Sequence, residues 1–163
     1  MNNGKITIGM DCIGLGVGAV IMNDLGEVLL MKRSKNLSKD RTTAGLWSIP
    51  GGEVEFGEKV SDAIKREVRE ELDVEIVVKK IIGNWDQILP KSKVHWHSVS
   101  FLCKIKNGVP KIMEPDKFNQ IKWFSLSKIP ENSGIAHVAV PLYLLGKMNK
   151  KEFERRIRKT AES

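Results

Sequence analysis

The stretch that decides the fold runs from Gly52 to Val74 and reads GEVEFGEKVSDAIKREVREELDV. Its second half predicts a helix from about Val60 to Leu72. Apolar residues recur there at helical spacing, so one face of the helix is expected to pack against the core. These apolar residues are Val60, Ala63, Ile64, Val68 and Leu72.

Three acidic residues of this helix fall on one side of it. At about 100° per residue, Glu67, Glu70 and Glu71 share one sector beside the apolar stripe. Like charges at these spacings repel, so the helix either leaves them in water or offsets them with cations. Carboxylate oxygens are hard ligands that suit Mg²⁺ or Mn²⁺. The pattern therefore predicts a metal site on this face.

The residues just before the helix extend the same site. Pro50-Gly51-Gly52 is predicted to form a tight turn, where the missing Cβ atoms let the backbone approach a metal or a phosphate. An acidic loop connects this turn to the helix and contains Glu53, Glu55 and Glu58. Turn, loop and helix face together would fit a diphosphate that is bridged by divalent cations.

The whole stretch resembles the signature of the Nudix family, G-x5-E-x7-R-E-U-x-E-E-x-G-U, in which U is aliphatic. Asp73 stands where the signature has its second glycine, and Asp is among the few residues that tolerate the left-handed backbone expected there. The resemblance implies an α/β fold, namely the Nudix α/β/α sandwich around a mixed β-sheet. The matching residues are Gly52, Glu58, Arg66, Glu67, Val68, Glu70, Glu71 and Val74.

The resemblance also implies roles for these residues. Arg66 would orient the carboxylates, and Glu58 would support the same network. Mg²⁺, or Mn²⁺ in its place, would polarise the phosphates and activate a water that attacks phosphorus. Either Glu67 or a loop carboxylate would take the proton. The metal ligands would be Gly51, through its carbonyl, and Glu67, Glu70 and Glu71.

Four residues outside the signature are further candidates. Glu114 is a candidate metal ligand from a later loop, although a solvated loop acid fits it as well. Trp47 and Trp123 are candidates for stacking on a base, against the alternative that they pack in the core. His97 shares one strand face with His95, which suits either substrate contact or a solvated surface. No cysteine or further histidine flanks them, so a zinc site is rejected.

The segments before the signature predict strands and loops. Two strands, Cys12–Met22 and Glu27–Lys32, are expected to form a hairpin around the turn at 23–26. The glycines at 14, 16 and 18 lack the spacing of a dinucleotide-binding fingerprint and are interpreted as strand glycines. Residues 34–45 are polar and basic, which predicts an exposed loop. The remaining predictions are strands at 46–49, 74–82, 94–105 and 122–126, and a helix at 135–148 that contains Pro141.

Length and composition predict one domain over residues 1–163. The chain has 163 residues, of which 41% are hydrophobic, enough for one sizeable core. The formal charge of +7 is concentrated in a basic C-terminal helix or tail from about residue 147. A solvated helix end is favoured over a nucleic-acid site, so nucleic acid is not expected as a partner. Cys12 and Cys103 are interpreted as reduced core residues.

Location and assembly follow from the same composition. No stretch approaches the roughly 18 apolar residues that a membrane span needs, so we expect no membrane partner. A cytoplasmic protein, either monomer or homodimer, is the expectation.

The substrate class rests on the resemblance alone. Within the Nudix family, the segments 46–58 and 114–117 together with Trp123 resemble the small nucleoside-triphosphate pyrophosphatases, which release a nucleoside monophosphate and pyrophosphate. ADP-ribose and nucleoside-diphosphate sugars are the alternative substrates. A non-catalytic protein that binds a nucleotide or nucleic acid is the alternative from another class. Loss of a signature glutamate would indicate it, and none is lost.

Overall fold

In the part of the chain that the structure describes, the fold has seven strands and three helices. The structure is a computed structural model that describes residues 6–35 and 43–161. The strands are β1 (Gly14–Ile21), β2 (Val28–Arg33), β3 (Trp47–Ser48), β4 (Gly51–Glu53), β5 (Glu75–Leu89), β6 (Val94–Asn107) and β7 (Phe118–Phe124). The helices are α1 (Val60–Leu72), α2 (Val140–Leu144) and α3 (Lys150–Ala161), with a π-helical turn at Ile135–Ala139 and 3₁₀ turns at Pro90–Ser92 and Leu126–Lys128.

The strands form two sheets. One has the order β4-β1-β6-β5, and in it β1 runs parallel to β6 while the other neighbours are antiparallel. The other is antiparallel and has the order β3-β2-β7. Side chains from α1 pack with one face of β1, through Val17, Ala19 and Ile21. Side chains from α2 pack with the opposite face, through Val20. The predicted α/β sandwich with a mixed sheet is confirmed.

The predicted hairpin between the first two strands is wrong. The turn forms, because the Asn23 side chain accepts hydrogen bonds from the backbone N–H groups of Leu25 and Glu27. Beyond a single bridge between Met22 and Val28, however, β1 and β2 enter different sheets. Each strand is buried on both faces, which is typical of a central strand rather than of a solvated hairpin.

Three other predicted segments differ from the structure. The turn at Gly51-Gly52 is strand β4, which pairs with β1. The predicted helix at 135–148 divides into the π-helical turn and α2, since Pro141 lacks an N–H group and lies at the start of α2. The loop at 34–45 is predicted to be exposed, yet Thr43 and Gly45 are buried. Residues 36–42 of this loop lie outside the described residues.

Two composition-based expectations also change. Cys103 is buried as expected, but Cys12 is exposed, and both thiols are free. The basic C-terminal segment is helix α3, and it is not merely a solvated end, because its Arg156 side chain is only 5% exposed. Among the described residues, no helix is long and apolar enough to cross a membrane.

Candidate functional site

Helix α1 carries the acidic residues of the signature in two different environments. Its apolar stripe is buried as predicted, and Glu71 turns inward with it. The side chain of Glu67 is 14% exposed, whereas that of Glu70 is 53% exposed. The three carboxylates are neighbours, because Glu67 lies within electrostatic range of both Glu70 and Glu71. They differ in exposure, since Glu71 is buried and Glu70 is half-exposed.

Arg66 is the centre of an ionic network on α1. Its guanidinium donates to both carboxylate oxygens of Glu58, at 3.0 and 2.9 Å. It also donates to Glu67 at 2.8 Å and to Glu70 at 3.2 Å. A further bond at 2.9 Å reaches the carbonyl of Glu53, which fixes β4 against the helix. The bonds from Arg66 lower the pKa of Glu58, so this carboxylate stays ionised.

Glu71 is a buried carboxylate that lies against β4. It accepts a hydrogen bond from the backbone N–H of Gly51 at 3.0 Å. Burial raises the pKa of Glu71 to about 8, the bond from Gly51 opposes the rise, and the charge of Glu67 adds to it. Burial also raises the pKa of Glu67. Both carboxylates therefore carry a cost of ionisation that a nearby cation would offset.

The glycines of β4 bring the backbone into contact with these carboxylates. A Cβ atom at Gly52 would lie 2.4 Å from Oε2 of Glu67. At Gly51, where φ is +150°, a Cβ atom would lie 2.1 Å from the carbonyl oxygen of Val17. A side chain at Gly51 would therefore push β4 away from β1, whereas one at Gly52 would displace the Glu67 carboxylate. The signature glycine, Gly52, thus leaves room for this carboxylate against the backbone of a strand.

The loop before β7 completes the acidic side of the site. The N–H of Met113 donates to the carbonyl of Glu71 at 3.0 Å, which anchors this loop at the end of α1. Glu114 is close enough for its charge to raise the pKa of Glu71 further. Lys117 pairs with Glu114 at 2.6 Å, and the charges of Glu67 and Glu71 also raise the pKa of this lysine. The structure therefore brings Glu114 to the predicted site.

The donor chemistry of this region fits a hard divalent cation. Within the described residues, no three His, Cys, Asp or Glu side chains are arranged around one point for a metal. Arg66 accounts for this, because it binds Glu67 and Glu70 directly. Glu71 nevertheless has the features of a ligand, since it is a desolvated carboxylate beside a second carboxylate. Oxygen donors of this kind are those that Mg²⁺ and Mn²⁺ prefer.

A cavity of about 720 Å³ opens on the other side of β4. This volume lies within the range of small-molecule sites. Residues at alternate positions of β1, β5 and β6 form its floor, and Arg33, Thr43 and His137 also line it. The floor residues include Gly16 and Gly18 of β1, Trp85 and Gln87 of β5, and Trp96, Ser98 and Ser100 of β6.

The structure does not place the predicted base-binding residues in this cavity. Trp47 is buried in the core, where its ring meets Phe124 edge to face at 4.8 Å. Trp123 is half-buried and packs against the core on the α1 side. His97 lies on the other face of β6 from Trp96, and it shares the Asp86 carboxylate with His95. His97 faces away from the cavity because odd and even residues of a strand face opposite sides of the sheet.

Sequence reasoning missed Arg33, Trp85 and Trp96 as cavity residues. The pairing of β2 with β7 shifts register between Lys32 and Arg33. A bulge of this kind changes the direction of the neighbouring side chain. The positive charge of Arg33 lowers the pKa of Glu71, so this residue lies near the acidic site. Trp96 stands between His95 and His97 in the predicted strand, so strand alternation indicates that its side chain lies on the opposite face from theirs. No local pattern indicates Trp85, because β5 was predicted to end before it.

Comparisons with known proteins agree with this geometry. A family model described as the NUDIX domain matches residues 13–143. The chain is 30% identical over 128 residues to the NAD-capped RNA hydrolase NudC of Pseudomonas putida, which covers 77% of this chain and 43% of that protein. It is 29% identical over 117 residues to the ADP-ribose pyrophosphatase of Methanocaldococcus jannaschii, with coverage of 72% and 64%. The chain thus spans less than half of the first relative and just under two thirds of the second.

A solved structure is similar over nearly its whole length. The MutT NUDIX hydrolase from Burkholderia pseudomallei has a TM-score of 0.71 and 32% sequence identity to this chain. The match covers 82% of this chain and 98% of that one.

Proposed function

Because this chain belongs to the NUDIX domain family of hydrolases, we propose that it uses Mg²⁺ to hydrolyse a nucleoside triphosphate to the monophosphate and pyrophosphate. The observation that carries the proposal is the position of strand β4. The acidic residues Glu67 and Glu71 lie on one side of it, and the tryptophan-lined cavity lies on the other. A base in the cavity would therefore place its phosphates beside the carboxylates.

The acidic side would hold the metal through Glu67, Glu70, Glu71 and Glu114, with the Gly51 carbonyl. When bound, Mg²⁺ polarises phosphate oxygens and lowers the pKa of water. Arg66 holds Glu58 and Glu67 in place through its hydrogen bonds to their carboxylates. We assign proton abstraction from the attacking water to Glu67, because Arg66 holds its carboxylate against the backbone of Gly52, beside the other acidic residues.

Arg33 would bind the phosphates from the cavity side. Its Nε atom is buried without a hydrogen-bond partner among the described residues, and its side chain lies over the ring of Phe118 at 5.7 Å. A guanidinium held in this way presents paired donors that match two phosphate oxygens. Arg33 would then offset charge on the reacting phosphates while the attacked P–O bond breaks.

A second candidate substrate class is ADP-ribose or another nucleoside-diphosphate sugar. The resemblance to an ADP-ribose pyrophosphatase over 72% of the chain favours it. The volume of the cavity also leaves space beyond a base and its ribose. The product would then be a nucleoside monophosphate and a sugar phosphate instead of pyrophosphate.

The test is a hydrolysis screen of nucleoside triphosphates, ADP-ribose and dinucleoside polyphosphates with Mg²⁺ and with Mn²⁺. Mass spectrometry in ¹⁸O-labelled water identifies the products and the phosphorus that is attacked. We expect release of pyrophosphate, and turnover at least about 10²-fold lower in Glu70→Gln and in Glu71→Gln without loss of fold. Release of a sugar phosphate alone would favour the second class. Wild-type turnover in both variants at saturating Mg²⁺ would contradict the metal site.

A further inference from the structure

An ordered turn precedes β1, and it lies outside the part of the chain that matches the family model. Residues 7–12 form this N-terminal turn, whereas the family match starts after them. The N–H of Thr7 donates to the Asp11 carboxylate at 2.8 Å, and the N–H of Asp11 donates to the Thr7 carbonyl at 2.8 Å. The N–H of Gly9 donates to the Cys12 carbonyl, also at 2.8 Å. These internal hydrogen bonds give the N-terminal turn a defined shape.

Gly9 fixes the N-terminal turn against the start of β6. Its carbonyl accepts a hydrogen bond from the N–H of His95 at 2.7 Å. Its φ is +82°, and a Cβ atom there would lie 2.3 Å from Nε1 of Trp96, so a larger residue would displace the turn or the ring. The Trp96 ring also lies against Gly14, where a Cβ atom would come within 2.5 Å of it. The ring is thus held between the turn and β1, and it positions the turn beside the cavity.

The N-terminal turn gives one end of the cavity an apolar wall. Thr7, Ile8 and Met10 of the turn line the cavity, together with Leu89 and Val94 at the connection between β5 and β6. Three of these side chains are large and apolar yet accessible, with exposed fractions of 46% for Ile8, 55% for Met10 and 36% for Leu89. Apolar surface that stays accessible in a concave site is typical of ligand sites. A planar apolar group of a ligand would bury this surface.

The opposite end of the cavity is less suited to such a group. The Ile49 side chain covers β1 there, because a Cβ atom at Gly18 would lie 2.7 Å from its Cδ1 atom. Gly18 pairs with Gly51 of β4, which is bonded to the acidic site. Along β1, Gly14 is about 13 Å from Gly18, at about 3.3 Å per residue. This separation is close to the length of a nucleoside monophosphate, so phosphates at β4 would leave the base at the apolar end.

Resting on the function proposed above, we infer that Ile8 and Met10 cover the base of the bound nucleotide. The base lies among the apolar side chains at this end of the cavity, and its phosphates reach back to β4. Methionine suits the contact, because its flexible side chain adapts to a ring and its sulfur interacts favourably with aromatic groups. The N-terminal turn therefore makes the site favour nucleotides over sugar phosphates that lack a base.

The first test measures binding of nucleoside monophosphates, which have no diphosphate bond to hydrolyse. Titration calorimetry with Mg²⁺ compares AMP, GMP, UMP and CMP with ribose 5-phosphate, which has no base. We expect the wild-type protein to bind at least one nucleotide about 10-fold more tightly than ribose 5-phosphate. Met10→Ser should lower the nucleotide affinity about 10-fold, because apolar contact with the base is lost. The affinity for ribose 5-phosphate should not change.

Ile13→Ser is the matched control. Ile13 directly follows the N-terminal turn, is 61% exposed and is not one of the described residues that line the cavity. This variant should bind every ligand as the wild-type protein does. Because Met10 and Ile13 are both exposed, neither substitution should change the melting temperature without ligand. An equal melting temperature separates contact with the base from a structural role.

Oxidation of Met10 tests the contact without any substitution. Hydrogen peroxide converts exposed methionine to its sulfoxide, and mass spectrometry of peptides follows Met10 alone. A saturating nucleotide should lower the oxidation rate of Met10 at least about 5-fold by covering its thioether. Ribose 5-phosphate at the same concentration should leave the rate unchanged.

Three results would each overturn the inference. They are an unchanged oxidation rate of Met10 with a saturating nucleotide, wild-type nucleotide affinity in Met10→Ser, and no nucleotide binding at millimolar concentration. Hydrolysis is measured separately. If a nucleotide protects Met10 but no triphosphate is hydrolysed, the proposed function is wrong and the inference stands. If triphosphates are hydrolysed but Met10 is not protected, the inference is wrong and the proposed function stands.

Discussion

The carboxylate of Glu71 and the backbone N–H of Gly51 form a 3.0 Å hydrogen bond that joins helix α1 to strand β4. Glu71 is only 3% exposed, and burial raises its pKa to about 8. The same contact therefore holds the two halves of the candidate site together and places an ionisable group where ionisation is unfavourable. Stability and metal affinity should both depend on pH through this residue.

The first prediction concerns stability in EDTA between about pH 5 and pH 8. Unfolded Glu71 ionises near 4.5, whereas the folded protein keeps its proton up to about 8. The folded state then binds more protons in this window, so the free energy of unfolding should fall as the pH rises. Glu71→Gln keeps an acceptor for Gly51 but does not ionise, and it should flatten this slope. Urea unfolding at several pH values tests this, and an equal slope in both proteins would contradict it.

The second prediction is that Arg66→Lys lowers turnover by at least about 10-fold and the melting temperature by roughly 3–6 °C. A lysine ammonium has three donors on one atom, so it cannot replace the five hydrogen bonds that the Arg66 guanidinium makes. Arg69→Lys is the matched control on the same helix, because Arg69 is exposed and forms an ion pair with Glu75 outside this network. Steady-state kinetics and thermal unfolding measure both effects. Equal behaviour of the two variants would show that Arg66 is not the centre of the site.

The third prediction concerns helix α3. Arg156 donates to the carbonyls of Ile129 and Pro130, and Phe153 stacks on Tyr143 at 4.3 Å between ring centres. Deletion of residues 150–163 should therefore destabilise the protein and reduce turnover, since α3 also contacts the π-helical turn that borders the cavity.

The single substitution Arg156→Gln tests the same point without truncation. We expect a loss of about 2–3 kcal/mol in the free energy of unfolding, because two carbonyls lose a charged donor. Arg158→Gln is the control, since Arg158 is exposed and, among the described residues, its one hydrogen bond is a long one to the Glu154 carbonyl at 3.5 Å. Unfolding midpoints that match the wild-type value in both variants would mean that the tail is a solvated end after all.

The fourth prediction concerns Asp73, which caps α1 with φ 53° and ψ 40° and donates its N–H to the carbonyl of Arg69. Asp73→Gly should raise the urea midpoint, because glycine enters the left-handed region without a Cβ penalty and removes a negative charge from the helix C-terminus. The exposed ion pair of Asp73 with Lys111 at 2.7 Å reduces this gain without reversing it. Turnover should not change.

Asp73→Asn separates the contribution of the left-handed backbone from that of the ion pair with Lys111. Asparagine also tolerates the left-handed backbone but loses the ion pair. If Asp73→Gly lowers the midpoint at low salt as much as Asp73→Asn does, then the ion pair is worth more than the backbone strain.

The sequence by itself determined the helix and its chemistry. Helix α1 has the predicted bounds, Val60 to Leu72, and the left-handed backbone at Asp73 was also predicted. Both depend on residues within one or two turns of each other, where spacing alone decides which side chains share a face. The family signature lies in the same stretch, so the acidic side of the site was readable without a structure.

Only the tertiary structure decided the division of β1 and β2 between two sheets and the composition of the cavity. Gly14 and Trp96 are partners in a parallel ladder although 81 other residues separate them in the chain. Trp85 lies on a third strand, β5, which pairs with β6. Arg33 lies at a bulge in β2. Strand pairing over such distances depends on which partners bury the most apolar surface together, and no local pattern contains that information. Local spacing therefore specified the carboxylates of the candidate site, whereas long-range pairing placed the residues that line the cavity.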